Sequence, residues 1–165
     1  MLEPMTTVDE AIIRAQLQRP PRGVAGIAYR CRCGKPAVVL TRPRLDDGTP
    51  FPTLYYLTCP RAVGACSALE SQGLMAQMTQ RLSDDRDLAQ AYRRAHDHYL
   101  VDREQLESVP EITGISAGGM PDRVKCLHAL VAHSLAAGEG LNPLGDEALR
   151  EVGMFWDRPC LDDVS

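Results

Sequence analysis

The sequence predicts an α+β fold: a small antiparallel sheet of two to three strands near the N-terminus, packed against a mostly helical remainder with a buried central helix. Three observations carry the prediction. Short β-branched and aromatic runs, VAGIAYR, PAVVLT and TLYYLT, all fall between residues 24 and 58. From residue 61 onward apolar residues recur at helical spacing. The run VKCLHALVAHSLAAG, residues 124–138, is apolar on almost every face, as suits a helix surrounded by protein.

The elements follow in order. Thr7 or Asp9 caps a first helix over roughly 9–18, with Ile12, Ile13 and Leu17 apolar, and Pro20-Pro21 ends it. Val24–Arg30, Pro36–Thr41 and Thr53–Thr58 are strands, the last two joined as a hairpin through RPRLDDGTPFP. Helix returns at Arg61 and runs to Leu82, broken near Gly73. Asp84 or Asp85 caps the next helix, which reaches about Glu107 on a stripe of Leu88, Tyr92, Ala95, Tyr99 and Leu106. His96 and His98 flank that stripe as solvated residues, and Arg103 belongs to a solvated charged face. The central helix begins at Pro121 and ends at Gly138. A short helix starts at Asp146, and Phe155 and Trp156 pin the tail.

The 165 residues fit one domain: an N-terminal helix and β-hairpin over 8–58, a helical part over 60–157 and a tail over 158–165. A net charge of −4 with no basic block argues against a nucleic-acid surface. No apolar run approaches the roughly 18 residues needed to span a bilayer, so no membrane insertion is expected. MLEPMTTVDEA lacks the basic and apolar regions of a signal peptide, so the expected location is the cytoplasm. There, six cysteines are expected as thiols or metal ligands rather than disulfides.

Two constellations carry chemistry. The hairpin lays the start of PAVVLT beside the end of TLYYLT, which puts Cys33 and Cys59 at one end of the sheet. Cys31 stands two residues from Cys33 in CRCG, a zinc knuckle shortened by one residue. Three thiols then converge, and Cys126 is the expected fourth metal ligand, in competition with Cys160 and a histidine. Zinc is the expected cofactor, with an iron–sulfur cluster as the alternative. Buried thiols acting as small hydrophobes explain the same residues without a metal. Within a regular helix Cys126 and His128 lie about 200° apart and cannot share an ion, so the helix supplies one ligand at most. His128 reads equally well as a neutral imidazole bonded to a carbonyl. Cys59, ahead of Pro60 at a helix start, also fits a thiol of lowered pKa, and Cys66 fits packing.

The second constellation is SAGGMPDRVK. Ser116, Gly118 and Gly119 can turn backbone N–H groups toward a ligand, and Arg123 and Lys125 follow in the first helical turn. A phosphate or carboxylate there would offset two cations that oppose the helix dipole; solvent or Asp122 would do so too. The segment has neither a Walker nor a G-x-G-x-x-G pattern.

The blocks RCRCGKPAVV, DGTPFPTLYYLTCPR, SAGGMPDRVKCLHALVAHSLAAG and NPLGDEAL resemble an actinobacterial family known only as domain of unknown function 501. Cys66 lies outside them. The resemblance implies no reaction. Its members are commonly encoded near a septum-formation initiator and an exopolyphosphatase-like protein, which implies a link to division or phosphate metabolism. The expected function is a metal-stabilised domain that binds a protein partner or a small anionic ligand. The alternatives are an enzyme acting on a phosphorylated or carboxylated small molecule through SAGGMPDRVK, and a redox or iron–sulfur protein.

Overall fold

The computed structural model describes residues 2–162, so Met1 and the last three residues of the expected tail lie outside the described part. The chain folds as α1 (Thr7–Leu17), β1 (Val24–Arg30), β2 (Pro36–Thr41), β3 (Tyr55–Leu57), α2 (Pro60–Ser71), α3 (Leu74–Asp84), α4 (Arg86–Leu106), α5 (Leu127–Ala137) and α6 (Pro143–Val152). Short 3-10 turns lie at Pro110–Ile112 and Phe155–Asp157. The fold is α+β, with one antiparallel sheet in the order β1-β2-β3. Among the described residues no helix is long and apolar enough to cross a membrane.

The middle strand explains the layering. All six residues of β2 are buried, so both of its faces are covered. Val39 packs with Ile13 of α1 and Ile27 of β1 in a small cluster on one side. Val38 and Leu40 join the main core with Leu57, Tyr99, Leu127 and Leu130. α5 is the buried central helix, with Leu127 and every residue from 129 to 134 removed from solvent.

Several boundaries move, each because a side chain claims a backbone group. α1 is capped by Thr6, not Thr7: the Asp9 N–H donates to Thr6 Oγ1, and the Thr6 N–H donates to Asp9 Oδ2, both at 3.0 Å. Asp9 also receives a two-pronged ion pair from Arg30, 2.9 Å on each arm. That pair holds its carboxyl far below the usual carboxylate range. α6 begins at Pro143 rather than Asp146, because Asn142 caps it by accepting the Gly145 N–H at 3.0 Å.

The central helix starts at Leu127, six residues after the expected Pro121. The intervening backbone is engaged elsewhere. The Lys125 N–H donates to Gly118 O at 2.7 Å, the Val124 N–H to Thr79 Oγ1 at 3.0 Å, and Tyr92 Oη to Arg123 O at 2.9 Å. Gly119 sits at φ +91°, where a Cβ would stand 2.7 Å from Arg123 O. Residues 114–126 are therefore a packed loop, and Arg123 and Lys125 are not helical.

Two polar residues expected in solvent are buried. His96 faces inward and meets Ser116 Oγ at 2.7 Å. Arg103 is 1% exposed and donates to Pro52 O at 2.9 Å and Ile112 O at 2.8 Å. His98 is half-exposed and meets the fully buried His133 at 3.4 Å.

Candidate metal centre

The first group of sulfurs is assembled by three short pieces of chain. Cys31 and Cys33 lie in the turn between β1 and β2. The Gly34 N–H donates to Cys31 O at 2.8 Å and the Cys31 N–H to Lys35 O at 2.9 Å, with Gly34 at φ +85°. This closed turn presents both thiols on one side. β2 and β3 pair Val38 with Leu57, which carries Cys59 to the same end of the sheet, directly ahead of Pro60 at the start of α2.

The C-terminal segment supplies the remaining sulfur. Phe155 is buried in the main core, and the Arg32 guanidinium lies 4.2 Å from the Trp156 ring centre. Arg61 donates to Pro159 O at 3.2 Å and pairs with Asp162 at 2.8 Å. These contacts lay Cys160 onto the sheet end. The sulfurs of Cys31, Cys33 and Cys160 stand within 4.8 Å of one another. Cys160 Sγ reaches Cys59 Sγ at 3.0 Å, and the Cys160 N–H points at Cys33 Sγ at 3.5 Å. Cys31, Cys59 and Cys160 are buried and Cys33 is half-buried.

The protonation pattern follows from this crowding. A bond from the Cys160 thiol lowers Cys59 to about 6, against burial and with help from the first N–H groups of α2. Cys160 is raised far above the usual thiol range by the same bond and by burial. Burial raises Cys33, but N–H groups of Cys160 and Lys35 outweigh it and leave it lowered. Three sulfurs within 4.8 Å of one another, with a fourth 3.0 Å from Cys160, cannot all be thiolates unaided, since each new charge repels the others. A soft divalent cation would remove that repulsion, and sulfur-only donor sets suit zinc or an iron–sulfur cluster.

Cys126 does not join this group. It is the N-cap of α5, outside the regular helix, and meets a different set. Cys126 Sγ lies 3.8 Å from His128 Nδ1, and Glu70 Oε2 lies 3.1 Å from that same nitrogen. Glu70 Oε2 also accepts the Leu127 N–H at 2.8 Å, so a carboxylate of α2 caps α5. The 200° separation expected of Cys126 and His128 does not apply, because Cys126 adopts extended backbone. His128 is not isolated: its contact with Cys126, and the charges of Glu70 and Cys126, raise its pKa against burial. Burial raises Cys126, but His128 and the Ala129 N–H more than offset it and leave it lowered. Cys66 is fully buried among apolar residues, and burial pushes it up to about 12.

The expected anion-binding residues remain neighbours in an altered arrangement. Ser116 borders the groove but is buried, and its hydroxyl is taken by His96 and Met120 O. Gly118, Gly119, Arg123 and Lys125 line an open groove of about 700 Å³ with Pro52, Thr53 and Cys126. The side chains of Arg123 and Lys125 are exposed.

Glu70 had no sequence signal, because it acts on α5 from 57 residues away. For His128 the signal was the C-x-H spacing, which becomes a pair once the helix start shifts to Leu127.

A family model described as "Protein of unknown function (DUF501)" matches residues 27–150. Cys31, Cys33, Cys59, Glu70, Cys126 and His128 lie inside that span, and Cys160 lies beyond it. No curated protein and no solved structure matches the chain.

Proposed function

The chain belongs to the DUF501 family, whose description names no reaction, and from the chemistry of its residues we propose a zinc-stabilised domain that binds a small anionic ligand. Zinc sits among Cys31, Cys33, Cys59 and Cys160 and fastens the C-terminal segment to the end of the sheet. The observation that carries this is the meeting of Cys31, Cys33 and Cys160 within 4.8 Å of one another, with Cys59 in contact with Cys160 at 3.0 Å as the neighbouring fourth sulfur. A closed site with four protein ligands has no position for substrate, so its role is structural. The ligand occupies the groove along 114–126. The exposed cations Arg123 and Lys125 and the tight Gly118-Gly119 turn support an anion there.

Elemental analysis of untagged protein tests the metal. Zinc is expected, falling by about one equivalent per chain in Cys33→Ser, whose half-buried position limits damage to the fold. Equal zinc in the two proteins, or less than about a tenth of an equivalent in the wild type, ends the proposal. A brown protein with visible absorption assigns the sulfurs to an iron–sulfur cluster instead. Thermal melts with phosphate, pyrophosphate and polyphosphate test the groove. At about a hundredfold over Kd the gain is about 2.7 kcal/mol, and it shrinks in Arg123→Ala/Lys125→Ala. Melts unmoved by all three anions remove the ligand half of the reading.

A further inference from the structure

We propose that Glu70, Cys126 and His128 form a second metal site, one that holds a zinc-class divalent cation with a coordination position open to an anionic ligand. It shares no residue with the four-cysteine group, although Cys59 caps the start of α2, the helix whose far end carries Glu70. Glu70 comes from the last turn of α2, Cys126 from the cap of α5 and His128 from its first turn.

Distances come first. A zinc ion bonds nitrogen and oxygen at about 2.1 Å and sulfur at about 2.3 Å, so a tetrahedral arrangement sets donors about 3.3–3.6 Å apart. His128 Nδ1 lies 3.1 Å from Glu70 Oε2 and 3.8 Å from Cys126 Sγ, and the three donor atoms all fall within 4.8 Å of one another. The two pairs that share Nδ1 lie within a few tenths of an ångström of that spacing, and the third pair lies within reach of one ion.

The same geometry argues against a nucleophile relay. In such a relay the thiol meets one imidazole nitrogen and the orienting acid meets the other. Here Cys126 and Glu70 converge on the same nitrogen, Nδ1. The opposite nitrogen, Nε2, is met by Ser67 Oγ at 3.2 Å. With Nδ1 on a metal, Nε2–H donates to Ser67, the outer contact that fixes a metal-bound histidine. The Leu127 N–H on Glu70 Oε2 orients the carboxylate in the same way.

The surroundings set the kind of site. Glu70 and His128 keep about a quarter of their side-chain surface, 23% and 26%. Cys126 and His128 line a cleft of about 560 Å³ with Thr53, Tyr55, Tyr56 and Val63, and Cys126 also borders the groove of Arg123 and Lys125. Three protein ligands beside accessible space leave a fourth position for water or an anionic oxygen. The two cations favour a carboxylate or phosphate there.

Metal content of the untagged full chain tests this. Glu70→Gln keeps an amide oxygen for the Leu127 N–H, so α5 stays capped while the carboxylate is lost. The wild type is expected to hold about one equivalent of zinc more than Glu70→Gln or His128→Ala, with a further equivalent lost separately in Cys33→Ser. Equal zinc in the wild type and Glu70→Gln overturns the site. Zinc lost in His128→Ala but retained in Cys33→Ser supports it while ending the four-cysteine proposal. Cobalt-loaded Cys33→Ser reads the open position. Its visible bands are expected to shift with acetohydroxamate, and bands that stay put overturn the open coordination.

Discussion

Replacing Arg103 by methionine removes a buried charge while keeping most of the side chain's volume, so it isolates the role of the guanidinium. In the native fold the two arms donate to Pro52 O and Ile112 O. The two carbonyls differ in what remains afterwards. Ile112 O keeps the Ile115 N–H at 3.0 Å, whereas Pro52 O has no other protein donor among the described residues. Each lost bond to a charged donor removes about 1.5–3 kcal/mol, and the orphaned Pro52 carbonyl adds to the loss. Against this, the methionine variant no longer has to bury a cation, which returns several kcal/mol at most. The balance is a destabilisation of about 2–3 kcal/mol, which at about 2–4 °C per kcal/mol lowers Tm by about 4–12 °C. Arg103→Lys carries one compact head that reaches one carbonyl, so about half the loss is expected. Urea denaturation, with metal content matched between proteins, measures both. A methionine variant within about 0.5 kcal/mol of the wild type, with lysine the less stable of the two, refutes the hydrogen-bond argument. Because Pro52 lines the anion groove, the same variant should also weaken the thermal shift with phosphate.

Two further outcomes concern pH. His133 is fully buried, and burial lowers it to about 4, so the unfolded chain takes up its proton first as pH falls below 6.5. Stability should therefore drop between about pH 6.5 and 4 by up to about 3 kcal/mol, and denaturation of His133→Gln across that range should show a shallower slope. His96 is shifted the same way by burial and leaves part of the slope in place, so an unchanged slope in His133→Gln counts against the assignment. Asp9 is lowered by Arg30, so its contribution is present above about pH 4 and is lost as pH falls through its depressed value. Asp9→Asn should cost about 2 kcal/mol at pH 7, with the gap to the wild type narrowing by pH 3 in the same denaturation series; a constant gap contradicts the pairing with Arg30.

The sheet, the β2–β3 hairpin and the buried central helix were legible because alternation, turn chemistry and an all-round apolar run are local signals. The turn at CRCG was legible for the same reason. What escaped depended on partners distant in sequence. α5 lacks a capping side chain of its own, since Cys126 makes no cap bond, and Glu70 supplies one from α2. Pro121 drew the helix start forward, while Thr79 and Tyr92 hold that backbone in a loop. His96 and Arg103 offer a different lesson. Each follows a stripe tyrosine by four residues, Tyr92 and Tyr99 respectively, so helical spacing placed both on the inner face. Their polarity suggested solvent, and only the carbonyls and the serine that meet them reconcile charge with burial. Cys160 stood behind Cys126 as a ligand in the sequence, because only the contacts of Trp156 and Arg61 fix where the last segment runs.

The sulfur group joins residues separated by up to 129 positions, and Cys160 is made at least a hundred residues after its nearest sulfur, Cys59. During translation the hairpin turn and Cys59 emerge long before their last companion, so an early chain offers an incomplete set of thiols to metal and oxidant alike. Sealing of that corner is thus a late event in biogenesis, and a nascent chain stalled before residue 160 would leave the ribosome marked by open, reactive sulfur.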